Sequence, residues 1–424
     1  MSAGVQAGYK QTEVGVIPRD WGVRALGELN PFVTSGSRGW AAFYADRGSL
    51  FIRITNMLRE SIYLDLENLK FVSLPPESSE GIRTQLQEHD VLISITADIG
   101  IVSYVDRQVP TPAYINQHIA LVRFDQARTC GKFVSYFLAS EKPQKLFRAS
   151  TDTGAKAGMS LPTVQKIQVA LPSLLEQRAI AAALSDVDAL LGGLDLLIGK
   201  KQGLKVAAMQ QLLTGLTRLP GFSGEWEMRR LDELADIRSG GTPSTTVSQF
   251  WDGDIPWCTP TDITGLKGQK FLSETSRMIT PHGLKASSAE MIPAFSIVMT
   301  SRATIGECAI NMVPVSTNQG FKNFIPFVTT DVSFLYYLLT TQKQGFITLC
   351  GGSTFLEIGK TQLVAYQVRL PGTKAEQTAI AAILSDMDTE LAALQARRRK
   401  TQALKQAMMQ ELLTGRIRLV PTSS

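Results

Sequence analysis

The chain has 424 residues, of which 44% are hydrophobic and 19% charged, and 43 basic against 38 acidic residues give a formal net charge of +5. This length predicts about two to four domains, each with its own core, and the composition argues against disorder. No apolar run approaches the ~20 residues of a membrane span, and the N-terminal residues lack a signal-peptide core. Four scattered cysteines and three histidines argue against a zinc ribbon, a disulfide framework or a His-rich metal site, and are typical of a reduced cytosolic protein. The mild basic excess permits an anionic partner without requiring one.

The first 170 residues are predicted to form a mixed α/β domain of the α+β type. Short β-rich runs are DVLISIT (90–96), IVSYV (101–105) and IALVRF (119–124), and a helical stretch follows around KFVSYFLAS (132–140). Gly/Ser/Thr-rich loops lie at 33–39 and 150–160. Such loops are candidates for contacts with a ligand or partner.

A long helix is predicted from residue 176 to 213, directly after Leu171-Pro172. The segment has no proline and is dominated by Ala, Leu, Gln and Lys. Its apolar residues follow a 4-3-4-3-4 spacing, which is the a/d seam of a coiled coil: Ile180, Leu184, Val187, Leu191, Leu194 and Ile198. The seam turns polar at Lys201 and Lys205, and Gly215 supplies the helix stop.

The second half repeats this organisation. Its β-rich runs and helical stretch are SIVMTS (296–301), ECAINM (307–312), FKNFIPF (321–327) and VSFLYYLL (332–339), with small-residue loops at 238–246 and 349–355. A second helical block follows, and its seam is Ile380, Leu384, Met387, Leu391 and Leu394.

Residues 176–215 and 376–415 are identical at 23 of 40 positions without a gap, which indicates a duplication. Weaker matches pair Trp21 with Trp226, 51–57 with 257–263, 90–100 with 296–306, and Asn116-Gln117 with Asn318-Gln319. We therefore divide the chain into a first recognition-type domain with its leader (1–170), a first helical spacer (171–219), a second domain (220–369), and a second spacer with the C-terminal tail (370–424).

Each helix would be ~60 Å long and needs a partner for its apolar stripe. The two copies can supply it to each other as an intramolecular antiparallel coiled coil. The alternative is that each helix packs on its own domain. A parallel intermolecular coil would crowd both variable domains at one end.

The sequence carries no motif of a known catalytic centre. It has no GxxxxGK[ST], no GxGxxG after a strand, and no HExxH, GxSxG or CxxC. Asn30-Pro31-Phe32 resembles part of an Asn-Pro-Pro-Phe loop but lacks its second proline, and we interpret it as a turn. Asp186/Asp188 and Asp386/Asp388 lie ~200° apart on their helices, so neither pair converges on one ion. We interpret both pairs as a solvated or partner-binding face, and the RRRK run (397–400) as a solvated helix face rather than a DNA contact.

The repeated EQxAIAAxLSDxD…LKxxxxQxLLTG block, the leader YKQTEVGVIPRDW (9–21) and the TGxxRL phrases resemble the specificity subunits of Type I restriction–modification systems. This resemblance covers essentially the whole chain. It implies two target recognition domains that each read one half of a bipartite DNA site. It also implies helical spacers that dock two methyltransferase subunits, and translocating restriction subunits as an optional addition to that assembly. The S-adenosylmethionine, and the ATP and Mg²⁺ of restriction, would be bound by those partners, and the chain itself would be a non-catalytic cytoplasmic protein without a cofactor.

Reading bases requires donors and acceptors on loops that reach the grooves, and phosphate contacts require Lys, Arg, Ser, Thr or backbone N–H groups. Loop position, chemistry and repeat position together select the candidates in the first domain: Ser35, Ser37, Arg38, Arg53, Asn56, Thr96, Asn116, Gln117, Lys145, Arg148 and Lys156. In the second domain the candidates are Ser239, Thr242, Thr259, Asp262, Ser301, Arg302, Asn318, Gln319, Lys322 and Ser353.

The repeated Asn-Gln pair has two interpretations at this stage. Asn or Gln binds adenine bidentately, and equally the amides can tie down a buried turn. The five tryptophans, by contrast, are interpreted as core or domain-surface residues rather than base-stacking platforms: Trp21, Trp40, Trp226, Trp251 and Trp257. Because the two domains differ at their matching positions, an asymmetric DNA target is expected.

Two other functions compete with DNA recognition. One is an enzyme, either a nuclease or a methyltransferase, with a site spread over both halves; a carboxylate or Asn-Pro-Pro-Phe constellation beside a glycine-rich loop would support it. The other is a scaffold whose two domains bind protein. Salt-sensitive, sequence-selective DNA binding by the assembled complex separates the scaffold from the DNA reader.

Overall fold

A computed structural model describes residues 7–36, 38–75, 79–151, 158–350 and 356–419 of the chain. The chain divides into two compact units. The first unit contains Met1–Asp195 together with Arg397–Ser424, and the second contains Leu196–Ala396. Each unit therefore includes the beginning of one long helix and the end of the other.

The first unit is built from short strands and helices. Its strands are β1 (Tyr9–Thr12), β2 (Gly15–Pro18), β3 (Gly22–Ala25), β4 (Phe32–Ser35), β5 (Tyr44–Ala45), β6 (Ser49–Ile52), β7 (Phe71–Val72), β8 (Val91–Ser94), β9 (Val102–Tyr104), β10 (Ala113–Ile115), β11 (Ile119–Arg123) and β12 (Gln168–Leu171). Its helices are α1 (Ser79–Thr84), α2 (Gly131–Ala139), α3 (Glu141–Thr151), α4 (Leu161–Gln165) and the first part of α5 (Leu174–Leu212).

The central sheet of the first unit has the order β4-β11-β8-β9, with antiparallel pairing. Residues of β8 alternate between two hydrophobic cores, as a strand buried on both faces requires. Val91 and Ile93 belong to the core that contains helix α2, whereas Leu92 belongs to the core shared with the smaller sheet β10-β6-β7-β5. Strands β12 and β3 pair separately, with Gln168 opposite Ala25.

The second unit repeats this plan. Its strands are β13 (Trp226–Arg230), β14 (Ala235–Ser239), β15 (Trp251–Cys258), β16 (Phe271–Leu272), β17 (Arg277–Ile279), β18 (Ile297–Thr300), β19 (Cys308–Asn311), β20 (Ser316–Thr317), β21 (Phe321–Pro326) and β22 (Gln367–Pro371). Its helices are α6 (Pro260–Gly265), α7 (Pro281–Lys285), α8 (Val332–Thr341), α9 (Lys343–Thr348), α10 (Lys360–Val364) and the first part of α11 (Lys374–Leu412).

Its main sheet has the order β14-β21-β18-β19-β16, and a smaller sheet has the order β17-β15-β20. Ile297 and Met299 of β18 belong to the core that contains helix α8, and Val298 belongs to the core on the opposite face. Strands β13 and β22 form the counterpart of the β3–β12 pair. Both units are α+β, because most strand pairs are antiparallel and a few short ones are parallel. The predicted fold class is confirmed.

The long helices run antiparallel to each other within each unit. In the first unit Asp188 and Asp195 of α5 pair with Lys405 and Arg398 of α11, respectively. Residue numbers along α5 therefore increase in the direction in which those along α11 decrease. In the second unit the pairs are Lys201 with Glu390 and Lys205 with Asp388. The predicted antiparallel coiled coil is confirmed.

Packing of each helix on its own domain, the alternative considered above, also occurs. Ile180 and Leu184 of α5 lie in one core with Phe133 of α2, and that core also contains Leu412, the last residue of α11, and Leu413 after it. In the second unit the equivalent core includes Leu212, the last residue of α5, and Leu213 after it. The seam residues are thus buried by two different partners along each helix. The buried seam positions are Ile180, Leu184, Leu191, Leu194, Ile198, Ile380, Leu384 and Leu391, whereas Val187, Met387 and Leu394 are partly buried.

Candidate nucleic-acid interface

In the first unit, three loops meet at the end of the central sheet where β4 and β8 finish and β11 begins. Gly36, directly after β4, lies so close to the segment that precedes β11 that a Cβ on it would be 2.2 Å from the Ile115 carbonyl oxygen. Residues after β8 join the same place, because the Ile95 amide donates to the His118 carbonyl oxygen at 2.9 Å. The Met159 amide in turn donates to the Ile95 carbonyl at 2.7 Å. Predicted residues from separate stretches of sequence are therefore brought together.

The side chains at this loop cluster hold one another. The Asn116 side-chain oxygen accepts the His118 amide at 3.1 Å, which forms a local Asx turn. The His118 ring then contacts Thr96 Oγ1 through Nδ1 and Gln117 Nε2 through Nε2, the latter at 3.0 Å. Asn116 is buried, and Thr96, Gln117 and His118 are partly exposed.

The second unit builds the same cluster from its own residues. A Cβ on Gly240 would lie 1.9 Å from the Asn318 carbonyl oxygen, so only glycine fits at this position after β14. The Asn318 side-chain oxygen accepts the Gly320 amide at 2.9 Å, again an Asx turn. Thr242 Oγ1 donates to the Gln319 side-chain oxygen, and Gln319 is exposed. The Asn of each pair thus holds the turn, and the Gln is the member that reaches outward.

Cationic groups flank both clusters. In the first unit Arg83 on α1 donates to the Ser35 carbonyl oxygen at 2.7 Å. In the second unit Arg302 follows β18, is exposed, and pairs with Glu357 at 2.8 Å. Lys322 lies in β21 and is buried, and desolvation lowers its pKa. Because its ammonium is held within the sheet, Lys322 is removed from the set that contacts DNA.

Two other candidates are buried inside the fold. Asn56 is 1% exposed, and its side chain bonds the carbonyls of Asp65 and Asn68 and the Arg53 amide. Ser301 is fully buried at the start of its loop. Neither side chain faces outward, which argues against the predicted direct DNA contact of both residues.

Thr259 and Asp262 also have a structural role. They form the capping box of α6, in which Asp262 accepts the Thr259 amide and hydroxyl, each at 2.7 Å. Asp262 also accepts the Ser276 amide. Burial opposes ionisation of Asp262, but these hydrogen bonds outweigh it and lower its pKa. Both residues are only partly exposed, and we remove them from the DNA-facing set.

The remaining candidates separate by exposure. Exposed or partly exposed in the structure are Ser35, Arg38, Arg53, Thr96, Gln117, Lys145, Arg148, Ser239, Thr242, Arg302, Asn318 and Gln319. Outside the described residues lie Ser37, Lys156 and Ser353. Lys145 lies on α3 and pairs with Glu141 at 2.6 Å. All five tryptophans are buried, in agreement with their interpretation as core residues.

The LSDxD sequence of the first long helix forms a polar network inside the first unit. Tyr136 on α2 donates to one Asp188 oxygen at 2.6 Å, and Lys405 of α11 pairs with the other at 2.6 Å. Ser185 contacts Tyr63 at 2.7 Å and Lys132 at 3.2 Å. Desolvation, together with the neighbouring Asp188 charge, raises the pKa of Tyr136 and keeps its hydroxyl protonated. The network joins the domain, its own helix and the end of the other helix.

The second unit has the equivalent network. Tyr337 on α8 donates to Asp388 at 2.6 Å, and Lys205 of α5 pairs with the same carboxylate at 2.5 Å. Lys270 donates to Ser385 at 2.9 Å. The interpretation of the Asp pairs as a solvated face is therefore wrong for Asp188 and Asp388, which face inward, while Asp186 and Asp386 are exposed.

A clamp that the sequence analysis missed closes each unit. Arg418 after α11 donates to both carboxylate oxygens of Glu176, at 2.6 and 2.7 Å, and also to Asp20. Arg218 after α5 donates to both oxygens of Glu376, at 2.7 and 2.8 Å. Both residues of the clamp lie in repeated motifs, the Glu in the EQ that opens each helical block and the Arg in the RL that follows it. Nothing in the sequence indicated that the Arg of one copy pairs with the Glu of the other. Arg83 and His118 were also missed, because neither lies in a repeated motif.

Among the described residues no group of three His, Cys, Asp or Glu side chains is placed to hold a metal ion. Within the same part of the chain, no helix combines the length and apolarity that crossing a membrane requires.

The family model and the similar proteins all point to one family. The model of the Type I restriction modification DNA specificity domain matches twice, at residues 18–195 and 223–405. The Type I restriction enzyme MjaIX specificity subunit of Methanocaldococcus jannaschii is 36% identical over 166 residues, 39% of this chain and 38% of that protein. The EcoR124I/EcoR124II specificity subunit of Escherichia coli is 30% identical over 173 residues, 39% of this chain and 42% of that protein. These two alignments therefore cover less than half of each relative.

Other similarities extend along the whole chain. The putative MjaX specificity subunit of M. jannaschii is 24% identical over 428 residues, 97% of each protein. The crystal structure of a Type I restriction–modification S subunit from M. genitalium superposes with a TM-score of 0.59 at 14% identity, over 95% of this chain and 97% of that one. A chain solved in work on complex assembly and conformational transition of the type I R-M system superposes with a TM-score of 0.56 at 18% identity, over 95% of this chain and 99% of that one. These structures share the fold.

Proposed function

The chain belongs to the Type I restriction modification DNA specificity domain family, and from this premise we propose that it is the DNA-recognition subunit of a Type I restriction–modification complex. Its relatives are named specificity subunits, and the chain is a non-catalytic component of such a complex. Each unit reads one half of an asymmetric bipartite DNA site. The functional division follows residues 1–170 and 220–369 for recognition, and 171–219 and 370–424 for the helical spacers.

The observation that carries this proposal is the duplicated loop cluster. Each unit ends its central sheet in an Asx turn followed by an outward glutamine, and an arginine lies nearby. Such a surface offers the amide and guanidinium groups that read base edges and bind phosphates. The clusters differ in detail, since His118 in the first corresponds to Gly320 in the second. Two unlike readers held on one chain favour a target whose halves differ.

The long helices serve as spacer and docking element. Their inward faces are fixed by the networks at Asp188 and Asp388, which set the helix register within each unit. The first of them, α5, carries exposed apolar side chains at Leu190, Leu196 and Leu204, and α11 carries one at Leu404. These side chains contribute to a protein–protein contact surface. We assign them to two adenine-methyltransferase subunits, through which restriction subunits join.

The chemistry then belongs to the partners. S-adenosylmethionine binds the methyltransferase subunits, and ATP and Mg²⁺ bind the restriction subunits where these are present. The chain itself holds no cofactor and acts in the cytoplasm. Its two units supply sequence recognition, and its helices supply the fixed spacing between the two half-sites.

The direct test is a methylation map. The chain is expressed together with the methyltransferase subunit encoded beside it, in a host without adenine methylation, and N6-methyladenine is located by sequencing. An asymmetric two-part motif that requires the chain supports the proposal. Methylation that is independent of the chain refutes it and favours a protein-binding scaffold. A parallel experiment measures binding of random duplex DNA by the purified complex at increasing salt, because specific phosphate contacts must weaken as salt rises.

A further inference from the structure

The two outward glutamines are held in opposite orientations. In the first unit the Gln117 amide nitrogen faces the His118 ring, with Nε2 to Nε2 at 3.0 Å. In that arrangement Gln117 donates and His118 Nε2 accepts, so the ring proton of neutral His118 sits on Nδ1 and is donated to Thr96 Oγ1. The Gln117 side-chain oxygen therefore points away from His118.

The second unit has the reverse arrangement. Thr242 Oγ1 donates to the oxygen of the Gln319 amide, so the nitrogen of that amide points away from Thr242. The residue that follows is Gly320, which has no ring to hold the nitrogen inward. Gln319 is exposed, and its backbone is fixed by the Asx turn of Asn318. The same residue type at the same repeat position thus presents a donor here and an acceptor in the first unit.

We propose that Gln117 and Gln319 are specificity-determining residues of opposite hydrogen-bonding character. This inference rests on the proposed DNA-reading function. Gln117 presents an acceptor and selects an exocyclic amino group, which adenine and cytosine carry in the major groove. Gln319 presents a donor and selects a base acceptor, which guanine carries as O6 and N7, thymine as O4 and adenine as N7, so that only cytosine offers none in the major groove. His118 and Thr242 are the positioning residues that fix the two amides.

Glutamate substitution distinguishes these roles, because it keeps the side-chain length and leaves only acceptor oxygens. Glu at 117 retains an outward acceptor, and its inner oxygen accepts from the other neutral tautomer of His118, in which Nε2 carries the proton and Nδ1 accepts from the Thr96 hydroxyl. Glu at 319 still accepts from Thr242 but loses the outward donor. Both variants add one negative charge at equivalent positions, so they lose general affinity for DNA to a similar degree and serve as controls for each other.

The experiment uses the full chain assembled with its methyltransferase subunits. Wild type, Gln117→Glu and Gln319→Glu complexes each select bound sequences from a random duplex DNA library. Gln319→Glu is expected to raise the selection of cytosine, which offers only a donor, relative to guanine or thymine at one position of one half-site by at least about tenfold. Gln117→Glu is expected to leave the base preference of the other half-site unchanged. Thr242→Val, which releases the Gln319 amide, should broaden the preference at the position that Gln319→Glu switches.

Other outcomes reject the inference. If both glutamate variants switch a base, or if Gln319→Glu leaves a clear wild-type motif unchanged, the opposite orientations do not determine specificity. Thermal unfolding of each variant shows that the changes act on recognition rather than folding, and both loop residues are partly or fully exposed. If the wild-type complex selects no motif, the DNA-reading function itself fails, which is a separate result.

Discussion

Arg418 donates hydrogen bonds to both carboxylate oxygens of Glu176, although 242 positions separate the two residues. Glu176 lies in the first turn of the first long helix, and Arg418 follows the end of the second. The Glu176 side chain is fully buried, so its charge depends on this partner. In the second unit Arg218 binds Glu376 in the same way, and Trp226 Nε1 adds a bond at 3.3 Å. Each unit is therefore closed by the tail of the other repeat's helix.

Replacing Arg418 by alanine should strongly destabilise the first unit. The substitution leaves a buried carboxylate without its cation, and removal of one partner of a buried pair costs about 3 kcal/mol. The neighbouring Arg416 is exposed and pairs with Glu411 at 3.1 Å, so Arg416→Ala should change stability by less than about 0.5 kcal/mol. Urea unfolding measures both. Equal effects of the two substitutions would show that the clamp contributes nothing beyond a surface ion pair.

The two Lys–Asp pairs of the helix networks should contribute unequally. Lys405 and Asp188 have side chains 6% and 10% exposed, whereas Lys205 and Asp388 are 22% and 32% exposed. Lys405→Met should therefore cost about 3 kcal/mol, and Lys205→Met about 1 kcal/mol or less. Free energies of unfolding from denaturant titration give the comparison. A larger loss for Lys205→Met would show that burial does not set the contribution of these pairs.

Lys270 should make stability increase with pH in the alkaline range. Its ammonium lies under Tyr337 at 4.7 Å from the ring centre, and desolvation lowers its pKa in the folded protein. Between the folded pKa and the ordinary value near 10.4, the unfolded chain binds more protons than the folded one. Folding stability must then rise with pH across that window, and this contribution is constant below the folded pKa, where both states are protonated.

The test for Lys270 compares two variants. Lys270→Met removes this contribution, so the free energy of unfolding of wild type should increase relative to that of the variant as pH rises from the lowered folded pKa towards about 10.4. Lys285→Met, at an exposed position, should have a free energy of unfolding that depends on pH in the same way as that of wild type. A gap between wild type and Lys270→Met that is constant with pH would contradict the prediction.

Gly240 should be required for recognition of one half-site. A Cβ there would collide with the Asn318 carbonyl oxygen, so Gly240→Ala must displace the turn that carries Gln319. We expect the motif half read by the second unit to be lost, while the other half is retained. Gly265→Ala is the matched control, because a Cβ at Gly265 meets nothing within 4 Å. Sequence selection from a DNA library measures both variants, and an unchanged motif for Gly240→Ala would refute the role of this close approach.

Much of the architecture could be predicted from the sequence because the signals were local or repeated. The 40-residue duplication indicated two copies, and helix periodicity placed the long helices at 176–213, close to the observed Leu174–Leu212. Buried strands such as Val91–Ser94 and Ile297–Thr300 were visible as compact apolar runs.

What escaped the sequence depends on contacts between distant segments. The sequence pattern predicts Asp188 to be a solvated or partner-binding acid, because only tertiary packing brings Lys405 and Tyr136 to it. Asn56 lay in a loop-like stretch, yet its amide is used entirely within the fold. For the repeated Asn-Gln pair, the Asx turn assigns the Asn to structure, and the orientation of each Gln depends on residues over 20 positions away, Thr96 through His118 and Thr242 directly.

The central claim is that each unit reads its own half of the DNA site. The most direct measurement exchanges residues 220–369 for the corresponding domain of another specificity subunit and maps N6-methyladenine in cells that also express the methyltransferase subunit. We predict that one half of the motif changes to that of the donor while the other half and the asymmetric form persist. A motif that remains unchanged after the exchange, or that changes in both halves, would contradict independent reading by the two units.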